Sequence, residues 1–74
     1  MKVAQRIRDL REDRDLNQTY IAEYLKTSQT VYSRYERNER DLPITMLYEL
    51  CKFYNVSADY ILGFTNTKTP LPRK

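Results

Sequence analysis

Residues 17–36 read NQTYIAEYLKTSQTVYSRYE, and this stretch has the pattern of two short helices joined by a tight corner. Asn17 is a candidate N-cap for the first helix, whose apolar residues recur at the spacing of one helical face: Ile21, Ala22 and Leu25. Residues 26–27 interrupt this pattern. Ala22 provides a position without bulk, which two helices need when they cross steeply over a short turn.

The second of these helices is predicted over residues 29–36, with Ser28 as its N-cap. Tyr32 and Tyr35 are expected to face inward, and the residues expected to face outward are Gln29, Thr30, Ser33 and Arg34. Short hydrogen-bonding side chains and an arginine are suited to the edges of bases in a major groove. The two helices therefore form a helix-turn-helix signature.

The composition of the 74-residue chain predicts one small, all-α domain, since it contains a single glycine and 31% charged residues. The lone cysteine, Cys51, excludes an internal disulfide and fits a reducing compartment. The N-terminus has no uninterrupted apolar stretch, and no segment approaches transmembrane length, so we expect a cytoplasmic protein. The net charge of +3 is compatible with a polyanionic partner. A basic cluster surrounds the second helix: Lys26, Arg34, Arg37 and Arg40.

The remaining chain adds three predicted helices. Residues 2–14 form an amphipathic first helix, and Arg6 is expected on its charged outer face. Asn38 is the candidate left-handed residue that ends the helix over 29–36. Pro43 suits the first turn of a fourth helix, whose expected core residues are Leu47, Leu50, Cys51 and Tyr54. Ser57 caps a fifth helix that ends at Gly63. We therefore predict a domain over residues 1–63 and a flexible C-terminal tail over residues 64–74.

Several residues allow two interpretations. Tyr32 and Tyr35 could stack on bases, but their inward spacing favours packing in the core. Cys51 could be a reactive thiol, although a small buried apolar residue is the simpler interpretation. Phe53 and Phe64 could lie on a dimer surface. The chain has no histidine, no Gly-rich phosphate loop and no Cys/His metal set, so we predict no enzyme, no metal and no cofactor.

The chain resembles the Cro/phage-repressor-type (Xre-type) helix-turn-helix family over roughly residues 3–63. The residues that carry the resemblance are Ile7, Leu10-Arg11, Leu16-Asn17-Gln18, Ile21-Ala22, Leu25, Ser28-Gln29, Tyr32-Ser33-Arg34-Tyr35-Glu36-Arg37, Pro43, Leu47, Leu50 and Val56-Ser57-Ala58-Asp59-Tyr60-Ile61-Leu62. The resemblance implies a compact five-helix, lambda-repressor-like DNA-binding domain. This chain departs from the family pattern at the corner, where Lys26 and Thr27 stand in place of glycine and an apolar residue, and at Asn38, where glycine is usual.

The resemblance also implies roles for individual residues. Base edges are expected to be read by Gln29, Thr30 and Arg34, with Ser33 beside them. Backbone phosphates are expected to be contacted by Asn17, Gln18, Ser28 and Arg37, and we add Arg40 from the basic cluster. A partly buried salt bridge is expected between Arg11 and Glu36, linking the first helix to the reading helix.

These expectations lead to a functional hypothesis. The chain is predicted to be a sequence-specific regulator of transcription that binds double-stranded DNA as a homodimer and represses by occupying an operator. Repression is implied by the resemblance and by no single residue. The alternative is an antitoxin-like protein-interaction module that uses Phe53, Tyr48 and the tail, with DNA binding secondary.

Overall fold

A computed structural model describes residues 2–69 of the chain. Within these residues the secondary structure consists of helices only, which confirms the predicted all-α class. The five helices are α1 (Val3–Asp13), α2 (Gln18–Tyr24), α3 (Gln29–Glu36), α4 (Ile44–Tyr54) and α5 (Ala58–Leu62). Helix α3 packs against both α2 and α1, while α5 packs against α1 and α4. Helix α3 therefore lies at the edge of the bundle, with one of its faces exposed to solvent.

The two helices of the helix-turn-helix begin at the predicted caps. The Asn17 side chain accepts a hydrogen bond from the backbone N–H of Tyr20 at 2.8 Å, and Ser28 Oγ accepts one from the backbone N–H of Val31 at 3.1 Å. Each bond satisfies an N–H that has no partner within its own helix. Between the helices Lys26 has a φ of +60°, a left-handed conformation that costs a residue with a side chain about 1–2 kcal/mol relative to glycine.

The core lies where all five helices meet. Its buried apolar side chains are Ile7, Leu10, Ile21, Ala22, Leu25, Tyr32, Tyr35, Leu50, Tyr54, Val56, Tyr60 and Ile61. Tyr32 and Tyr35 are thus core residues, as their spacing predicted. Leu47 and Cys51 are only partly buried at the edge of this cluster. The inner face of α3 is therefore packed into the core through two tyrosine rings, whose centroids are 6.3 Å apart in an edge-to-face arrangement.

A left-handed residue lies at the end of each of the five helices, and at three of these ends it is asparagine or glycine. Asn38 follows α3 with a φ of +60°, Asn55 ends α4 with a φ of +54°, and Gly63 ends α5 with a φ of +90°. Asparagine and glycine tolerate this conformation better than other residues do. Helix α4 begins one residue later than predicted, because Pro43 has an extended ψ of +147° and serves as the N-cap.

Two features at the C-terminal end differ from the sequence-based expectation. Arg6, expected on the charged outer face of α1, is buried: its guanidinium lies 4.2 Å from the centroid of the Tyr60 ring and donates to Asn66 Oδ1 at 2.9 Å. Residues 64–69, expected to be flexible, lie against the domain, since the backbone N–H of Ser57 donates to the Lys68 carbonyl at 2.9 Å. Residues 70–74 of the predicted tail lie outside the described residues.

Candidate nucleic-acid interface

The outer face of α3 presents three of the four predicted base-reading residues to solvent. Gln29, Thr30 and Arg34 are exposed, whereas Tyr32, Tyr35 and Glu36 on the opposite face are buried. The eight residues of α3 span roughly 12 Å along the helix axis, and an α-helix about 10–12 Å in diameter fits the roughly 12 Å width of a major groove. Helix α3 therefore has an exposed polar face formed by Gln29, Thr30 and Arg34, which we call the exposed ridge, and an opposite face that is buried in the core.

The outward placement predicted for Ser33 is wrong. Ser33 is only 8% exposed, and its hydroxyl donates to the Thr30 carbonyl at 3.0 Å, one turn back along α3. A serine at the flank of a helix commonly makes this local bond to the backbone. Its hydroxyl hydrogen is engaged inside the helix, so Ser33 does not belong to the exposed ridge.

The predicted phosphate-contacting residues lie at the helix starts and after α3. Asn17 and Ser28 use their oxygens as caps, but the Asn17 amide nitrogen and the Ser28 hydroxyl hydrogen are donors that the caps do not need. Both stand beside the N–H groups of a helix N-terminus, where a phosphate is favoured. Arg37 and Arg40 are exposed after α3, and Arg37 makes an exposed ion pair with Glu39 at 3.3 Å. Such exposed pairs contribute little to stability and can be replaced by a phosphate.

The ion pair predicted between α1 and α3 is present. Arg11 Nε donates to Glu36 Oε2 at 2.8 Å and Arg11 Nη2 donates to Glu36 Oε1 at 3.0 Å, a bidentate arrangement. In a third bond, Arg11 Nη1 donates to the Leu16 carbonyl at 2.7 Å. The Glu36 side chain is only 2% exposed, so this pair anchors α3 from inside the fold.

The environment of the ion pair shifts the pKa of both Arg11 and Glu36. Burial by itself would raise the pKa of the Glu36 carboxyl, but the hydrogen bonds from Arg11 and Gln18 lower that pKa below its ordinary value. The hydrogen bond to Glu36 raises the pKa of the Arg11 guanidinium. Both groups are therefore charged at neutral pH.

Sequence reasoning missed a polar connection between this pair and the exposed ridge. Gln18 Nε2 donates to Glu36 Oε1 at 3.0 Å, and Gln29 Nε2 donates to Gln18 Oε1 at 2.6 Å. The two glutamines are eleven positions apart and lie on different helices. Their contact results from the way α2 crosses α3, so no local pattern in the sequence predicts it.

Two buried tyrosine hydroxyls lie near this network. The Tyr32 and Tyr54 hydroxyls have no hydrogen-bond partner among the described residues. Burial raises the pKa of both phenols, and the nearby negative charge of Glu36 adds to the increase; the pKa of Tyr54 reaches about 12. Both phenols stay neutral at physiological pH and behave as core groups rather than as DNA ligands.

An aromatic and apolar surface lies away from the ridge. Phe53 is half-buried, with its ring centroid 4.7 Å from that of Tyr24 and 5.0 Å from that of Tyr54. Phe64 remains exposed. A groove of about 850 Å³ between α4 and α5 is lined by Ile44, Tyr48, Cys51 and Leu62 among others. Burial raises the pKa of the Cys51 thiol, which disfavours the reactive thiolate.

Comparison with known proteins assigns this arrangement to a family. Residues 7–61 match the family model described as "Helix-turn-helix". The chain is 36% identical over 66 residues to the uncharacterized HTH-type transcriptional regulator YobD of Bacillus subtilis (strain 168), a match covering 89% of this chain and 59% of that protein.

Two further relatives have the same identity. The HTH-type transcriptional regulator ImmR of Bacillus subtilis (strain 168) is 36% identical over 63 residues, which is 85% of this chain and 50% of ImmR. The cryptic phage CTXphi transcriptional repressor RstR of Vibrio cholerae is 36% identical over 62 residues, or 84% of this chain and 56% of RstR. The chain spans between 50% and 59% of the length of these curated relatives. Among residues 2–69, no helix combines the length and apolar character needed to cross a bilayer.

Proposed function

Because the chain belongs to the Xre-type helix-turn-helix family, a family of non-enzymatic DNA-binding domains, we propose that it is a sequence-specific regulator of transcription that binds double-stranded DNA. The observation that carries the proposal is the exposed ridge of α3, defined by Gln29, Thr30 and Arg34. Glutamine can pair with adenine through two hydrogen bonds, arginine can pair with guanine in the same way, and the threonine methyl can contact a thymine methyl.

The phosphate contacts are proposed for residues around the ridge. They are Asn17, Gln18, Ser28, Arg37 and Arg40. Contacts of this kind fix the register of the protein on the duplex and carry no sequence information themselves. Ser33 is left out of the base-reading set because its hydroxyl is bonded within α3.

We propose repression by occupancy: the protein sits on an operator that overlaps a promoter and excludes the polymerase. Support for repression rather than activation comes from RstR, which is named a transcriptional repressor. Binding as a homodimer would place two copies of α3 in successive major grooves on one side of the duplex, about 34–36 Å apart. An activity on chromosomal or phage DNA requires access to that DNA, and we accordingly expect a cytoplasmic protein.

The groove between α4 and α5 supports the proposed dimer. Ile44 and Tyr48 line it and remain 79% and 62% exposed, and large apolar side chains in that state favour a protein contact. Sedimentation of the free protein tests this proposal. Ile44→Ser should shift a dimer toward monomer without unfolding, while Glu23→Ser on the exposed side of α2 should leave the dimer unchanged. A monomer at all concentrations and on DNA would contradict it.

Selection of duplexes from a random pool, followed by sequencing, tests the function as a whole. We expect enrichment of an inverted repeat. Arg34→Ala should then relax the preference at one base pair by roughly 1–3 kcal/mol, whereas Arg37→Ala should weaken all duplexes alike and reduce the salt slope by about 1. Arg8→Ala removes one positive charge from α1 and is the matched control. Salt-sensitive binding with no enriched motif would contradict base reading and favour the antitoxin-like alternative.

A further inference from the structure

The segment after α5 turns back along the domain and contacts both α1 and α5. We call residues 65–69 the strap. The Lys68 carbonyl accepts a hydrogen bond from the backbone N–H of Ser57 at 2.9 Å, and Lys68 Nζ lies 3.3 Å from Asp13 Oδ2. Because Ser57 is the N-cap of α5 and Asp13 is the last residue of α1, these contacts tie the strap to the start of one helix and the end of the other.

A further attachment of the strap involves a buried positive charge. Arg6 is 9% exposed, its guanidinium lies 4.2 Å from the centroid of the Tyr60 ring, and its Nη2 donates to Asn66 Oδ1 at 2.9 Å. Among residues 2–69, no carboxylate forms an ion pair with Arg6. Burying a cation is costly unless it is compensated, and here the compensation comes from an aromatic face of α5 and a side-chain carbonyl of the strap. Arg6 therefore joins α1, α5 and the strap at one point.

These attachments are weak enough for the strap to open while the rest of the domain stays folded. The side chains of Lys68 and Asp13 are 51% and 60% exposed, and an exposed ion pair contributes little to stability. The group that accepts from Arg6 is a neutral amide. Helix α5 has only five residues, which is too short to be stable by itself. The position of α5 therefore depends on its packing against α1 and α4 and on the strap.

Helix α5 also forms one wall of the groove between α4 and α5. Tyr60 points from α5 into the core beneath Arg6, whereas Asp59 and Leu62 line the groove. Ser57, whose N–H bonds the strap, lines the groove as well. Any shift of α5 that accompanies opening of the strap consequently changes the shape of the groove.

We propose that the strap is a latch that holds α5 against α1, and that its closure completes the α5 wall of the groove and thereby sets the strength of the homodimer. The inference rests on the dimer proposed above. Asn66 and Lys68 do not line the groove, so they are positioning residues for the dimer rather than contacts within it. Both copies must be latched, and a latched fraction of one half would therefore raise the dissociation constant of the dimer about fourfold.

Exchange of the Ser57 backbone N–H with water, followed by NMR, measures closure of the strap directly. The full chain carries Ile44→Ser in this measurement, so that contact with a second copy does not protect Ser57. Asn66→Ala removes a hydrogen bond from a charged group and should speed exchange at Ser57 by roughly tenfold or more. Thr67→Ala, at a neighbouring exposed position of the strap, is the matched control and should leave it unchanged.

A core amide distinguishes local opening from loosening of the whole domain. The backbone N–H of Tyr32 donates to the Ser28 carbonyl within the helix-turn-helix, and Asn66→Ala should speed its exchange far less than that of Ser57. Equal acceleration at both amides would show that the strap is no separate latch. Unchanged exchange at Ser57 would show that Asn66 does not hold the strap. Either result overturns the inference.

Asn66→Asp tests the same attachment in the opposite direction. It gives Arg6 an ionised acceptor, and hydrogen bonds between ionised partners are stronger than those to a neutral amide. Exchange at Ser57 should therefore become several-fold slower than in the parent chain. Exchange that stays the same or becomes faster would contradict a latch held through Arg6.

Sedimentation of the chain with Ile44 retained then measures the effect on the dimer. Asn66→Ala/Lys68→Ala should raise the dissociation constant about fourfold or more, which corresponds to a latched fraction of one half or less. Arg8→Ala, which removes one positive charge from the exposed part of α1, is the control for charge and should leave it unchanged.

The outcomes separate the latch from the dimer on which the inference rests. If the double variant speeds exchange at Ser57 but the dissociation constant stays the same, the dimer stands and its dependence on the strap is overturned. If the unmodified chain is a monomer at all concentrations and on DNA, the proposed dimer fails and the inference fails with it. The exchange results would then still show whether the strap closes.

Discussion

Replacing Arg11 with alanine is the most demanding test of how α3 is held. The Arg11 side chain is 13% exposed and gives Glu36 two hydrogen bonds, while the Glu36 side chain is 2% exposed. Arg11→Ala leaves the carboxylate buried, with the Gln18 amide still donating to it at 3.0 Å. It also removes the donor to the Leu16 carbonyl at 2.7 Å, just before the N-cap of α2.

The expected loss follows from the burial of the carboxylate. Removing one partner of a buried ion pair destabilises a protein by roughly 3–5 kcal/mol, because the other charge is left without compensation. A domain of this size has a total stability of about 4–11 kcal/mol. Arg11→Ala should therefore remove a large share of it and lower Tm by at least about 12 °C. The double variant Arg11→Met/Glu36→Leu, which buries no charge, should recover much of the loss.

Urea unfolding followed by circular dichroism measures the difference directly. The matched control is Glu39→Ala, which breaks the exposed pair of Arg37 and Glu39 and should change the free energy of unfolding by less than about 1 kcal/mol. If Arg11→Ala is as mild as this control, the Arg11–Glu36 pair does not anchor α3, and burial of the Glu36 carboxylate does not determine the cost of losing Arg11.

Four further perturbations test other parts of the fold. Because the pKa of Glu36 is lowered in the folded state, the stabilisation from its ionised carboxylate is present above pH 4.5 and is lost as the pH falls below that value. Urea unfolding measured at a series of acidic pH values should detect this loss of stability. The loss should be absent in Arg11→Met/Glu36→Leu. Conversely, the pKa of Tyr54 rises from 10 to about 12, so the stability it contributes is present below pH 10 and lost between pH 10 and 12; tyrosinate absorbance that titrates fully near pH 10 would contradict this. Lys26→Gly should stabilise the protein by about 1 kcal/mol in urea unfolding, since Lys26 has a φ of +60°. Asn55→Gly should increase the free energy of unfolding by less, because asparagine tolerates this conformation better than lysine does. Gly63→Ala should destabilise by about 1–2 kcal/mol, because the φ of +90° is strained for alanine and its Cβ would lie 3.2 Å from Lys2 Cβ; an unchanged Tm would argue against both effects.

The local features of the fold could be read from the sequence because each depends on residues close together in the chain. Asn17, Ser28 and Ser57 cap helices by bonding an N–H three positions later. Asn38 and Gly63 end helices because their backbones tolerate a positive φ. The apolar spacing of α1, α2 and α3 gave the inward face of each helix, including that of Tyr32 and Tyr35.

The errors occurred where a side chain's environment comes from a distant segment. Arg6 sits among charged residues of α1, and only the return of the chain brings Tyr60 and Asn66 against it. Ser33 lies at the flank of α3, where periodicity cannot separate an exposed residue from one covered by a neighbouring helix. Residues 64–69 have no helical pattern, so nothing in their sequence indicated the bond between the Lys68 carbonyl and Ser57.

The five helices, their caps and the polar face of α3 follow from the amino-acid sequence, because hydrogen bonds and apolar periodicity within about one helical turn set these features. The contact of Glu36 with Gln18, and of Gln18 with Gln29, is visible only in the folded protein. That contact depends on how α2 crosses α3, and the crossing is set by packing of the whole core.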